Sequence, residues 1–243
     1  MLVKSQVKYI QSLSQKKQRD KEGVFIAEGP KIINELLQAS NIQAQQIFAV
    51  KEWIEQQDAP LDGNLVEVSA SELQSISFLQ TPNQVAGIFK KPQFPATITV
   101  KNKITLMLET IQDPGNMGTI IRCADWFGID LIICSGDSAD VFNPKVVQAT
   151  MGSISRVRIC YEDLALFIKK HSAIPLYAAT LDGNDIDQLS PVKEGIILIG
   201  NESKGISPSL FSKGTHRITI PRKGKAESLN AAVAAGIILS KLT

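Results

Sequence analysis

Three stretches of this chain concentrate the residue types that hold small ligands. The first, IGNESKGIS (Ile199 to Ser207), follows an apolar run from Gly195 and sets Glu202 between two glycines, Gly200 and Gly205. A loop that grips a nucleoside triphosphate needs a lysine directly after its second glycine, to reach the β- and γ-phosphates. Ile206 holds that place, so the spacing argues against a triphosphate. No G-x-G-x-x-G follows a strand either, and the glycine beyond Thr180 sits in LDGND. Gly200 and Gly205 are better suited to letting a ligand approach backbone amides and carbonyls. Glu202 is either a solvated loop acid or a group facing that ligand.

The second stretch, ETIQDPGNMGTIIRCADWFGI (Glu109 to Ile129), turns at Asp113-Pro114-Gly115 and then places Asn116 before a helix that carries Arg122. Lying six residues apart, Asn116 and Arg122 point to different sides unless the chain bends. Two readings stand: a helix cap and a surface ion pair, or a pair that gathers a phosphate or an anionic oxygen. The third stretch, ITIPRKGKAESLNAAVAAGIILSKL (Ile218 to Leu242), stops a strand at Pro221 and passes through a basic loop. Ser228 suits the N-cap of the alanine-rich helix that follows. From Ala231 to Leu239 that helix has almost no polar face, so it must be buried in its own core or against another subunit. At the end of the chain a subunit contact is the expectation.

These loops need elements to position them. The 243 residues suit one large domain or two modest ones, and 44% hydrophobic content is enough for packed cores. The chain divides near Pro95, where Lys90-Lys91-Pro92-Gln93-Phe94-Pro95 resists regular structure. Residues 1–95 form a small α/β unit: a helix over Lys4 to Ser14, a strand over Gly23 to Ala27, a helix opened by Pro30, a strand over Gln46 to Val50, a short helix over Ser71 to Leu79 and a strand over Val85 to Phe89. Residues 96–243 alternate more strongly. Strands are expected at Ile104 to Leu108, Leu131 to Cys134, Leu176 to Thr180, Ile196 to Ile199 and Arg217 to Ile220. Helices are expected at Gly118 to Trp126, from Lys145 to Thr150, and at Leu164 to Lys170. This is the pattern of a mostly parallel sheet covered on both faces, whose ligands sit beyond the carboxyl ends of the strands.

Composition excludes several classes. A net charge of +2 with 21% charged residues describes no polyelectrolyte. Lys4, Lys8, Lys16, Lys17, Arg19 and Lys21 nevertheless crowd the N-terminus, and Arg217, Arg222, Lys223 and Lys225 gather later, which permits nucleic-acid binding. Cys123, Cys134 and Cys160 are widely spaced, and with only His171 and His216 they support neither a zinc site nor a disulfide framework, so no metal is expected. No signal peptide and no apolar run of membrane-spanning length is present, which makes a reducing cytoplasmic setting the expectation and a membrane partner unexpected.

In order and with suitable gaps, NMGTIIRCAD, LIGNESKG and IPRKGKAESLNAAVA resemble the three motifs of the SpoU (TrmH) branch of the SPOUT RNA methyltransferases. The resemblance covers Ile104 to Leu242. KEGVFIAEGPKIINELL is similar to the small α/β substrate-binding domain, related to a ribosomal-protein RNA-binding fold, that often precedes this module. The resemblance implies a C-terminal α/β domain with a deep trefoil knot, a homodimer, and transfer of a methyl group from S-adenosylmethionine to a ribose 2′-hydroxyl in RNA. It assigns Asn116, Arg122, Glu202 and Asn230 to the catalytic end. Thr180, Gly200, Ile220 and Leu229, with Gly205 and Ser228 beside them, are assigned to the cofactor cleft, which explains why no lysine follows the second glycine. Arg222 stands where the family often has an apolar residue, and Ala231-Ala232 where a Val-Ser pair is frequent. The N-terminal domain favours ribosomal over transfer RNA as substrate. The alternatives are a transfer-RNA enzyme, an RNA-binding homologue without turnover, and a nucleotide hydrolase using Gly200 to Ser207.

Overall fold

A computed structural model describes residues 2–57, 64–201 and 203–243. It divides into two compact units, Met1–Phe94 with Asp140–Ser155, and Pro95–Ala139 with Arg156–Thr243.

The first unit runs α1 (Lys4–Ser12), α2 (Lys16–Glu22), β1 (Val24–Glu28), α3 (Pro30–Gln38), β2 (Ala44–Ala49), α4 (Lys51–Ile54), β3 (Leu65–Glu67), α5 (Ala70–Ile76) and β4 (Val85–Lys90). Its strands lie in the order β1-β4-β2-β3, with β4 antiparallel to both neighbours and β2 parallel to β3. The continuous apolar runs of β1 and β4 are buried, as a strand covered on both faces requires. Pro30, whose ring fixes a helical φ, opens α3, and Ile32, Ile33 and Leu36 bury one stripe of it against β1 and β4. Gly87 is forced by packing, because a Cβ there would lie 2.6 Å from the Phe89 ring and 2.7 Å from Ile47 Cδ1.

Arg19 leaves the basic patch expected from the sequence and is a buried structural residue. Its Nη1 donates to Leu13 O and Ser14 O, each at 2.7 Å, and Nη2 pairs with the Asp140 carboxylate. The physical reason is the break between α1 and α2, which frees carbonyls that a planar five-donor group can satisfy together. Lys16 is likewise engaged, by Asp20. The same unit takes in a segment from later in the sequence: Phe142 packs on Phe25 with ring centroids 5.4 Å apart, and Asn41 Nδ2 donates to Ser155 O at 2.8 Å.

The second unit begins with β5 (Ile104–Leu108), α6 (Pro114–Trp126) and β6 (Leu131–Cys134); α7 (Pro144–Thr150) belongs to the first unit. Then follow β7 (Arg158–Tyr161), α8 (Leu164–Lys170), β8 (Leu176–Asp185), β9 (Gly195–Ile199), β10 (Thr215–Thr219) and α9 (Ala231–Leu242). Every pairing in this six-stranded sheet is parallel, in the order β10-β8-β9-β5-β6-β7. Met107, Ile133, Ala178 and Leu198 belong to the core on one face together with Phe167 of α8, while α6 and α9 pack against each other. Leu106, Ile132 and Ile197, alternate in each strand, are fully buried as well, so both faces are covered.

Several boundaries differ from the sequence reading. The Asp113-Pro114-Gly115 turn is the entry to α6 itself, with Asp113 as its cap and Pro114 as its first residue. β10 ends before Ile220. β7 carries no sequence signal because its residues are half-buried or exposed at the sheet edge and lack an apolar run. β8 is twice the expected length and interrupted: Ala178 pairs with Arg217 and Asn184 with Ile218, so residues 179–183 bulge out of register. Gly183 closes this bulge so tightly that a Cβ would lie 2.5 Å from Ile218 N.

Two stability measurements check the first unit. Asp140→Ala should cost about 3 kcal/mol in chemical denaturation, the low end for orphaning a buried charge, because Arg19 keeps its two carbonyl acceptors. Burial pushes the Glu28 carboxyl above its ordinary range, although the Ser77 hydroxyl and Phe78 N–H both donate to it. A raised folded-state pKa contributes stability below the unfolded value that is lost as pH rises through the folded one. Glu28→Gln should therefore gain on the parent protein as pH climbs from the glutamate range to neutrality, and denaturation midpoints that keep a constant separation would refute this.

Candidate functional site

The site of the second unit is set by register. Leu108 pairs with Cys134 on one side and with Ile199 on the other, so β5, β6 and β9 end at one level. Their loops leave from the carboxyl edge, where open parallel sheets bind ligands. Glu109, the next residue after β5, is almost buried at 9% exposure, and its Oε2 accepts from Ser207 N at 2.8 Å. Thr110 follows with φ +55°, a left-handed conformation that costs a β-branched residue roughly 1–3 kcal/mol.

The loop after β9 is held from within. Asn201 and Gly205 exchange backbone hydrogen bonds at 3.1 and 2.9 Å, and Asn201 Oδ1 accepts from Ser203 N and Lys204 N. Asn201 Nδ2 donates to Thr110 O at 2.9 Å, tying the loop to β5. Gly200 is glycine because a Cβ would lie 2.4 Å from Gly205 O; loop closure itself claims that space. Gly205 needs its φ of +67°, and the space where its Cβ would stand is open. Glu202 lies outside the described residues.

The first and third stretches meet. Asn116 is the third residue of α6, inside the helix and not ahead of it, and Asp113 Oδ1 accepts its N–H at 2.7 Å. Asn230, not Ser228, caps α9, because its Oδ1 accepts from Ala232 N and Val233 N. Ser228 stands two residues too early for that geometry and is exposed in the preceding loop. Asn230 Nδ2 then donates to Asn116 Oδ1 at 2.8 Å, joining residues 114 positions apart. Arg122 is exposed, has no ion pair or side-chain hydrogen bond with a described residue, and sits about 120° around α6 from Asn116. The two therefore share a helix without touching.

The residues assigned to the cleft occupy the ends of β8, β9 and β10 and the loop before α9. Thr180 falls in the bulge of β8, where its hydroxyl is buried without a hydrogen bond of normal length among the described residues. Its dipole still reaches the exposed Asp182 carboxylate and, with Arg217, holds that acid below its usual range. Ile220 is half-buried just past β10, and Leu229 is 44% exposed beside Asn230. A loosely engaged hydroxyl, open space over Gly205 and the exposed loop 221–230 suit a ligand held largely by neutral hydrogen bonds. S-adenosylmethionine fits that donor and acceptor set. No group of three or more potential metal-ligating side chains occurs among the described residues, and no helix among them is long and apolar enough to cross a membrane. Burial pushes the Cys134 thiol up to about 12, which makes it a poor nucleophile.

Sequence reasoning did not single out Glu109, Thr110 or Asn201. An acid directly after an apolar strand was a signal for Glu109; nothing in the sequence marked the φ of Thr110.

A model of the SpoU rRNA Methylase family matches residues 103–240, and one of the MRM3-like substrate binding domain matches residues 4–87. The chain is 30% identical over 239 residues to the 23S rRNA (guanosine(2553)-2′-O)-methyltransferase RlmP of Bacillus subtilis, covering 97% of this chain and 95% of that one. A TrmH-family protein from Porphyromonas gingivalis superposes with a TM-score of 0.85 at 36% identity, covering 100% of this chain and 98% of the other. An AdoMet-bound rRNA methyltransferase from Sinorhizobium meliloti gives 0.86 at 32% identity, covering 100% and 95%. With its parallel sheet, its three converging segments and these matches over both units, the chain belongs to the SpoU rRNA methylase family.

Proposed function

We propose that this protein transfers a methyl group from S-adenosylmethionine to a ribose 2′-hydroxyl of RNA, and that the RNA is ribosomal. The observation that carries the reading is the Asn230–Asn116 hydrogen bond, which links the start of α6 to the start of α9 beside the carboxyl ends of the strands. The ribosomal substrate is favoured by the similarity to RlmP over nearly the whole chain. In this reading residues 1–95 hold the RNA and residues 96–243 are the methyltransferase domain, knotted in its C-terminal part. The protein works in the cytoplasm as a homodimer, to which the exposed Val233 of α9 and Trp126 of α6 contribute apolar surface.

When bound, the cofactor supplies an electrophilic sulfonium methyl. Thr180, Gly200, Gly205, Ile220, Ser228 and Leu229 are assigned to holding it. The chain's remaining task is to orient the hydroxyl in line with that methyl and to stabilise charge on its oxygen, which is where positioning yields most of the rate. Asn116 and Asn230 are joined amide to amide, and the Ala232 and Val233 N–H groups fix the Asn230 amide further, so both are assigned to orienting the ribose. Arg122 is a permanent cation that no described residue neutralises, and it is assigned to the developing alkoxide or the adjacent phosphate. Glu202 is assigned to the same end on resemblance alone.

Labelled methyl transfer to total RNA, followed by mapping of ribose methylation in cells with and without the gene, tests the function directly. A site confined to transfer RNA would replace the ribosomal reading, and no RNA labelling would remove the enzyme reading. Arg122→Ala should lower the single-turnover rate on the order of a hundredfold with saturating RNA while cofactor affinity holds; an unchanged rate would sink its assignment. Lys17 is exposed and, unlike Arg19, has no ion pair among the described residues. Lys17→Glu should weaken RNA binding and flatten the slope of log affinity against log salt by about one, whereas an unaltered slope would place the RNA elsewhere.

A further inference from the structure

Thr110 combines an unfavourable backbone conformation with complete engagement of its polar groups. Its N–H donates to Ser135 Oγ at 2.8 Å, its carbonyl accepts from Asn201 Nδ2 at 2.9 Å, and its hydroxyl donates to Asp137 Oδ2 at 2.9 Å. Ser135 Oγ donates onward to Asp137 Oδ1 at 2.6 Å, so one carboxylate after β6 holds both the backbone and the side chain of Thr110. That carboxylate is kept below its ordinary range by the Ser135 hydroxyl first, with the Thr110 hydroxyl adding to it, so it stays an acceptor at neutral pH. Ile111 N–H is pinned as well, by Ser138 Oγ at 3.2 Å.

The consequence lies across the sheet. Two consecutive residues grasp the two ends of the loop after β9: Thr110 O takes Asn201, and Glu109 Oε2 takes Ser207 N. The torsion at Thr110 therefore sets where one end of the loop is held relative to the other. A β-branched side chain keeps a left-handed conformation only where its surroundings over-determine it, and such positions cluster where geometry serves function.

We propose that Thr110 is a strained joint, locked by Ser135 and Asp137, and that Thr110, Asp137 and Glu109 are positioning residues that hold the loop from Gly200 to Ser207 in its ligand-binding shape. The proposal rests on the reading of that loop as a wall of the S-adenosylmethionine cleft. None of the three is assigned contact with the reacting atoms. Their part is to keep backbone groups pre-set, so their loss falls on cofactor affinity more than on turnover.

The test compares Thr110→Val, which keeps the branched shape but loses the hydroxyl, with Thr110→Ser, Asp137→Ala and the double variant Thr110→Val/Asp137→Ala in the full-length protein. Calorimetry with S-adenosylmethionine should show Thr110→Val and Asp137→Ala each weakened about tenfold, the scale of one hydrogen bond to a charged acceptor. KM for the cofactor should rise more than kcat falls, Thr110→Ser should restore affinity to within about twofold, and the double variant should be no worse than Asp137→Ala, which already removes the hydrogen bond that Thr110→Val loses along with the one from Ser135. Unchanged affinity in both single variants, independent additive losses, or Thr110→Ser as weak as Thr110→Val would each overturn the proposal while leaving the enzyme reading intact. If the parent protein takes up no S-adenosylmethionine, the enzyme reading fails, and hydrogen exchange at the Ser203, Lys204 and Ser207 amides judges the joint by itself. Faster exchange in Thr110→Val and Asp137→Ala supports it, and unchanged exchange overturns it.

Discussion

The parallel register of β5 between β6 and β9 is the constraint on which the site depends. Because Leu108 faces both Cys134 and Ile199, the residues that follow emerge within reach of one another. A slip of one residue would reverse every side chain of β5 between the two faces of the sheet. Glu109, nearly buried beneath Ser207 N–H, would then be carried away from its donor. The runs ITLML, LIIC and GIILI are largely buried, so no apolar–polar alternation sets that register, and it rests on how side chains of different size interlock with their neighbours across the sheet.

Above this level the structure trades regularity for convergence. β8 breaks register at residues 179–183, which takes Thr180 out of the paired ladder with β10. Thr110 adopts a conformation it would avoid alone and is held there by three neighbours. Both departures stand at the carboxyl edge, the end of the sheet where the assigned cofactor residues lie. The other pairings of the six-stranded sheet keep their register.

Much of this could be read from the residues alone. The strands Ile104–Leu108 and Leu131–Cys134 and the helix Leu164–Lys170 fall where periodicity placed them, because short apolar runs between polar breaks leave few alternatives. The errors have local causes. Pro114 looked like part of a turn, yet its fixed φ and missing N–H suit the first position of a helix. Ser228 is a good cap by type, but Asn230 took the role because the helix starts where apolar residues reach the core at Ala231 and Ala232. Arg19 looked like surface charge, since nothing in its neighbourhood showed that two carbonyls and a distant aspartate would enclose it.

By itself the sequence determined the alternation of strands and helices, the three motif segments and the kind of ligand they reject, since these depend on residue type and near-neighbour spacing. Only the tertiary structure decided which of those residues meet. Asn116 and Asn230 touch across 114 positions, Gly200 yields its side-chain space to Gly205, and Thr110 is locked by groups from the loops that follow two other strands. Such contacts arise from register and chain crossing, which sum weak preferences over the whole sheet and leave no mark on any single segment.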